Sequence, residues 1–339
     1  MNKKQTIAIA TSTSAAVTGL TLGSAVFLLA DRFVRELTRP GMTIPEDAPQ
    51  WGGWKFPDNT PPDPHWQRPL TFQAADGTQL QGEFWAQPQP APTIVLSHGF
   101  RMPRVKFRSV AALEYQHGSN VLLFDYRGHG ESAAIPTSGG VAEVRDLAAA
   151  VKLAAEQPET LPNTIFIHGF SMGAAIALLL PPMPEVAGII ADSPYARLDE
   201  MLYRIITWQL QADSVTWPRV LRPLSRLIPA GTATTIAGAK IIFRLRFRHR
   251  LIGQPEREWN THGKRVVTHP PLLLIHSQGD PLIPIKHAER IAKAAKAGGA
   301  DVQTYFVDSN VHCGAYGYDP ATYIRWLQEF VEEHRPAQR

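Results

Sequence analysis

Apolar residues along this chain fall into short dense blocks separated by polar or glycine-bearing breaks, and the spacing inside the blocks switches between two periods. Leu70 to Ala75 and Thr78 to Ala86 flank Asp76-Gly77, the two-residue turn signal of a β-hairpin. Thr93-Ile94-Val95-Leu96-Ser97, Thr164 to His168 and Pro271 to His276 are apolar runs of the kind a strand shows when both its faces are covered, and Val302 to Val307 alternates into a further strand. Between these runs, Val141 to Glu156, Ala174 to Leu180 and Ile285 to Ala297 carry helical spacing, and Pro320 to His334 closes the chain as an amphipathic helix. Strands alternating with helices predict an α/β fold with a mostly parallel central sheet and helices on both faces.

Two regions break that alternation. Between the strand ending at Ala191-Asp192-Ser193-Pro194 and the one opening at Pro271, residues 196–262 have helical spacing, breaks near Pro218 and Pro229 and many arginines, so a helical insertion is expected. Within it, Lys240 to Arg250 alternates apolar with basic side chains. Two readings compete there: a surface for anionic lipid headgroups, or a solvated basic face over a buried apolar one. At the other end, Met1-Asn2-Lys3-Lys4 precedes Ile7 to Ala30, 24 residues without charge or proline. At about 1.5 Å per residue that run is long enough to cross a bilayer. Residues 1–39 are therefore read as a membrane anchor with one transmembrane helix. A signal peptide cleaved near Gly23-Ser24-Ala25, leaving a secreted protein, is the rival; the apolar continuation Val26 to Ala30 favours the anchor. Lys3 and Lys4 face Arg32, Arg35 and Arg39 across the run, so charge gives no orientation. Residues 40–69 hold eight prolines with Trp51, Trp54 and Trp66, and are expected to be an extended strap whose tryptophans meet either a membrane interface or the protein body. That leaves 70–195 and 263–339 for the main domain.

At 339 residues, 44% hydrophobic and 19% charged, the chain has room for one large domain with appendages. Cys313 is its single cysteine, which excludes an intrachain disulfide and a cysteine-based zinc cluster. Beside His312 it reads as a small filler in preference to a redox group. A net charge of +4 calls for no nucleic-acid partner, and no zinc-finger spacing or Walker loop is present. The twelve histidines show no spaced carboxylate partner, so no metal and no cofactor is assigned, and a monomer is the default.

The chemistry concentrates at strand ends. Gly169-Phe170-Ser171-Met172-Gly173 sits where the run Thr164 to His168 gives way to the small-residue helical run Ala174 to Leu180. A serine forced onto a sharp strand-to-helix turn needs small residues two before and two after it, so that strand and helix pass closely. Ser171 is the candidate nucleophile, and the helix opening at Met172 aims N–H groups and its positive dipole end at a carbonyl under attack. In this architecture the partners follow in the order serine, acid, histidine. Asp280, on the loop after Pro271 to His276, is the candidate acid, and His312, after Val302 to Val307, is the candidate base. Thr93 to Ser97 runs into His98-Gly99-Phe100, so the Phe100 and Met172 amides are the candidate oxyanion hole. Asp192 also follows a strand and is the competing acid. His98 and His129 precede glycines in tight turns and His168 and His276 end strands; all four read as structural.

With these motifs the sequence resembles the α/β-hydrolase family. Asn120 to Ser132, with its Gly128-His129-Gly130 turn, looks like that family's fourth strand and the turn after it, and Gly279-Asp280-Pro281-Leu282-Ile283-Pro284 matches its usual acid loop. The resemblance covers about 70 to 335 and is nearest to membrane-anchored serine hydrolases of the Bem46-like or ABHD type. It implies that 196–262 is a cap covering the active site and setting substrate range. The function so implied is hydrolysis of carboxylic esters through an acyl-enzyme on Ser171, on a small-molecule or lipid-like acyl ester, at a membrane surface. A thioesterase acting on acylated proteins, a peptidase or amidase, and a non-catalytic binding module on the same fold are the alternatives. Arg101, Arg104, Lys106 and Arg108, after the oxyanion loop, are candidates to draw in an anionic substrate.

Overall fold

The computed structural model describes residues 24, 27–39, 67–216, 218–220, 222–247, 254–259 and 269–336. In chain order these form α1 (residues 27–38), β1 (Gln67–Gln73), β2 (Gln79–Trp85), β3 (Ala91–Ser97), α2 (Arg108–Gln116), β4 (Asn120–Phe124), α3 (Glu143–Ala155), β5 (Thr160–Phe170), α4 (Met172–Leu179) and β6 (Val186–Asp192). They continue as α5 (Leu198–Ser214), α6 (Ile228–Phe247), α7 (Pro255–Trp259), β7 (Leu272–Ser277), α8 (Lys286–Ala297), β8 (Val302–Val307), α9 (Ala315–Tyr318) and α10 (Pro320–His334).

The strands make one eight-stranded sheet in the order β1-β2-β4-β3-β5-β6-β7-β8. β1, β2 and β4 pair antiparallel, and every pairing from β4 through β8 is parallel. The hairpin forms where Asp76-Gly77 predicts it: Gly77 has φ +80°, and the Thr78 hydroxyl donates to Asp76 Oδ1 at 2.7 Å. Strand β1 starts earlier than the apolar pattern suggests and ends at Gln73, because the turn is closed by the Ala74 amide on the Thr78 carbonyl, 2.9 Å. Arg127, in the turn after β4, ties that hairpin to α3 by donating to Asp76 at 2.8 Å and to Asp146 at 2.9 Å. The parallel strands β3, β4 and β7 are buried along their full length, which explains why they read as continuous apolar blocks with no alternation.

The chain divides into two compact units, Thr38–Met201 with Ile252–Arg339 and Met1–Leu37 with Leu202–Leu251. The first carries the sheet. In the second, Ala30 and Val34 of α1 pack against Ala239 and Phe243 of α6, and Asp31 pairs with both Arg35 and Arg246. The alternation of Lys240 to Arg250 lies on a helix as far as Phe247, so its apolar and basic side chains do not separate onto two faces. Phe243 is buried, whereas Ile241, Arg244, Leu245 and Arg246 are all exposed. No helix among the described residues is long and apolar enough to cross a membrane. Most of Ile7 to Ala30, the strap 40–66 and residues 248–253 and 260–268 lie outside the described residues.

Candidate active site

Backbone geometry marks the serine first. Ser171 caps α4 with φ +52° and ψ −110°, a left-handed setting that a side chain adopts only where its surroundings impose it. Both flanking glycines are required by contact. A Cβ on Gly169 would stand 2.6 Å from the Ala174 Cα, and one on Gly173 would run into the Ser97 carbonyl and stand 2.6 Å from its Oγ. Strand β3 is thus pressed against the start of α4. Ser97 holds it there by donating to the Gly173 carbonyl at 2.9 Å, with the Tyr126 hydroxyl 2.6 Å away. The same approach brings the His98-Gly99-Phe100 loop beside the serine: a Cβ on Gly99 would lie 3.7 Å from that of Ser171. Met172 is the first helical residue, so its amide has no intrahelical acceptor.

Asp280 and His312 meet. The His312 Nδ1 lies 2.6 Å from Asp280 Oδ2, and the second carboxylate oxygen accepts the amides of Leu282 and Ile283 at 2.8 and 2.9 Å. Burial disfavours the Asp280 charge. The hydrogen bond and attraction of His312, helped by the Ile283 amide, outweigh it and hold the carboxyl below its ordinary range. The two loops are also joined by their backbones, the Gly279 amide donating to the Ser309 carbonyl at 2.8 Å. His312 Nε2 is buried and has no partner among the described residues, so the Ser171 hydroxyl is not hydrogen-bonded to it here. Such contacts commonly tighten only with substrate bound.

Asp192 is not the partner of His312. Its carboxylate accepts from the hydroxyls of Ser193 at 2.8 Å and Tyr323 at 3.3 Å instead. His168 faces Glu114 and Tyr323, and His276 faces the Ile283 carbonyl, as core histidines do. Cys313 is free and buried; burial first, then the charges of Asp192 and Asp280, push its thiol well up, so it stays a neutral filler. Of the four basic residues after the oxyanion loop, two are committed elsewhere: Arg104 to Asp125 and Glu131, Arg108 to Glu83 at 2.7 Å. Arg101 lies over the Phe100 ring and Lys106 is exposed. Asp301, Glu333 and His334 bring three ligand-type atoms within 4.8 Å of one another at the surface, a grouping that sequence spacing does not announce. Sequence reading also missed Ser97, Tyr126 and Ser193, since hydroxyls that lock a turn carry no motif.

His98 gives the loop a pH dependence. Its Nε2 accepts the Tyr126 amide at 2.9 Å and its Nδ1 lies 2.8 Å from the Gly99 carbonyl. Burial, and then the neighbouring His129, push the imidazole down to about 3. A base depressed on folding contributes stability that is complete above the unfolded value of about 6.5 and is lost as pH falls from there toward the folded value. Asp192, pushed up to about 6 chiefly by burial, acts in the opposite direction, so the comparison must be between variants. Between pH 7 and 4, the stability of His98→Gln is expected to fall less than that of the parent by about 3 kcal/mol, read from urea midpoints. Parallel curves would rule this out.

A family model described as serine aminopeptidase, S33, matches residues 88–246. An uncharacterized protein of Bacillus subtilis (strain 168), YqkD, is 30% identical over 273 residues, covering 78% of this chain and 78% of its own length. The thiohydrolase aneE of Aspergillus aculeatus is 33% identical over 112 residues, 32% of this chain and 35% of that one. Among solved structures, the Pyrococcus furiosus esterase Pf2001 superposes with a TM-score of 0.65 at 23% identity, over 88% of this chain and 99% of the other. The match to that family model, together with the likeness to YqkD across most of both chains, establishes the relationship: this chain belongs to the serine aminopeptidase S33 family, on an α/β-hydrolase fold.

Proposed function

We propose that the protein is a serine hydrolase that cleaves carboxylic esters through an acyl-enzyme. The observation that carries this reading is the Asp280–His312 pair at 2.6 Å, set on strand-end loops, with Ser171 held in a left-handed turn at a helix N-terminus. In the proposed mechanism His312 takes the Ser171 proton as the hydroxyl oxygen attacks the ester carbonyl. Asp280 fixes the ring with Nδ1–H toward itself, leaving Nε2 to act as base. The amides of Phe100 and Met172 receive the oxyanion, and one such donor is worth roughly 3 kcal/mol of barrier. His312 then returns the proton to the leaving alcohol, and water repeats the sequence to release the acid. The protein needs no cofactor for these steps.

A lipid surface as the place of action is the finer part of this reading. Its support is the smaller unit, whose described residues include nine basic side chains against three acidic ones, a larger surplus than the +4 of the whole chain. The same unit exposes Trp208, Ile241 and Leu245 at 57, 62 and 77%. Such a mixture suits anionic headgroups over acyl chains. A thioester substrate is the second reading, favoured by the likeness to the thiohydrolase aneE.

The full-length protein is expected to float with vesicles containing phosphatidylglycerol and not with pure phosphatidylcholine, and to hydrolyse p-nitrophenyl esters with an optimum beyond butyryl. Turnover of short soluble esters alone, without flotation, would remove the lipid surface from the account. Faster cleavage of an acyl thioester than of its oxygen ester, or of an aminoacyl anilide, would reassign the leaving group.

A further inference from the structure

Two residues at the end of β6 touch every part of the candidate triad's scaffold without belonging to it. The Asp192 carbonyl accepts the Ser171 amide at 2.8 Å, fixing the backbone of the candidate nucleophile. The Ser193 amide donates to the Ile275 carbonyl at 2.9 Å, on the strand that leads to Asp280. The Ser193 hydroxyl then accepts the Cys313 amide at 3.2 Å, one residue past His312. Elbow, acid strand and histidine turn thus converge on one dipeptide.

The chemistry of the last contact is directional. An ionised carboxylate only accepts, so the Ser193 hydroxyl donates its hydrogen bond to Asp192 Oδ1 at 2.8 Å, and this turns a lone pair of the Ser193 Oγ toward the Cys313 amide. Asp192 is itself held from behind by Tyr323, whose hydroxyl lies 3.1 Å from His168 Nε2. Every side chain in this group is buried. Ser193 and Cys313 have φ +54° and +52°, so the two residues joined by the hydrogen bond are both in the left-handed region, like Ser171. Backbone of this kind persists only where neighbours over-determine it, and it gathers where a side chain must be aimed.

We propose that Ser193, oriented by Asp192, is a positioning residue for His312: its hydroxyl locks the turn that carries the imidazole against the turn that carries Ser171. The proposal rests on the Ser171, Asp280, His312 reading. Neither Ser193 nor Asp192 bonds to the imidazole, so loss of the hydroxyl leaves the Asp280–His312 pair free to form but no longer aimed.

Two variants test it. Ser193→Ala removes the hydroxyl; Ser193→Gly removes it while easing the positive φ, which keeps a folded protein available if the alanine variant is unstable. In both, kcat for a p-nitrophenyl ester is expected to fall about tenfold to a hundredfold with KM within about twofold, as misaim without lost binding requires. Hydrogen exchange at the Cys313 amide should accelerate, and the low-field Nδ1 proton of His312 should broaden, with sheet amides unchanged. A glycine variant that keeps parental kcat and parental exchange at Cys313 overturns the proposal. Should the parent protein prove unreactive, the triad reading fails, and exchange at Cys313 with the His312 resonance still decides whether Ser193 holds the turn.

Discussion

Ser171→Ala is expected to lower kcat for p-nitrophenyl ester hydrolysis by about 10⁵-fold with KM little changed, the loss seen when a nucleophile that acts as a unit with its base is removed. The structure adds a consequence for stability that separates alanine from glycine at this position. The strain sits in the backbone, at φ +52° and ψ −110°, and alanine inherits it in full. Such a conformation costs a non-glycine residue about 1–3 kcal/mol. Glycine escapes most of that cost while losing about 0.5–1 kcal/mol through its freer unfolded chain. Ser171→Gly is therefore expected to be about 1 kcal/mol more stable than Ser171→Ala, with neither variant active. Urea midpoints of the two variants measure the difference. Equal midpoints would mean that the turn is not strained, and an alanine variant retaining more than about a hundredth of parental kcat would remove Ser171 from the mechanism.

Gly173→Ala is expected to be the most damaging added methyl among the described glycines. The added carbon would meet the Ser97 carbonyl oxygen and carbon, which are main-chain atoms of a fully buried strand paired on both sides. Neither can withdraw without moving β3 or α4. The variant would also disturb the hydrogen bond from Ser97 to the Gly173 carbonyl, 2.9 Å, which closes the elbow against the sheet. Overpacking that shifts backbone, together with a broken buried contact, places the loss at about 3–5 kcal/mol. Gly77→Ala provides the contrast: φ is +80° but nothing lies within 4 Å, so only the turn conformation opposes it, at about 1 kcal/mol. Thermal melts of both variants check the ranking. If Gly173→Ala melts within a few degrees of the parent, strand and helix are not packed as closely as described.

What could be read from residue order was whatever repeats or is local. Continuous apolar blocks announced strands covered on both faces, and the glycines around Ser171 announced a close crossing, because each reflects a constraint within a few neighbouring residues. Asp280 and Asp192 could not be separated so firmly, since both follow strands; in the structure the loops of β7 and β8 bring Asp280 to His312 across 32 positions. The four basic residues after Phe100 looked alike in sequence, yet Arg104 is buried on Asp125 while Arg101 is exposed, a difference made by the fold of the turn after β4. Lys240 to Phe247 left a lipid-facing surface and a basic face over an apolar one both open, because alternation along the chain does not say how side chains distribute around a helix. On α6 the same residues spread around the helix. Ser193 was invisible for another reason: its role is a hydrogen bond to a residue 120 positions away, in a backbone conformation no composition rule encodes.

The central claim is that Ser171 is an activated nucleophile. Incubation of the full-length protein with a fluorophosphonate probe, followed by mass mapping of the modified peptide beside Ser171→Ala, tests it most directly. A single adduct on Ser171, absent from the variant, is expected. A folded parent protein that takes no label, or an adduct on a different serine, would contradict it.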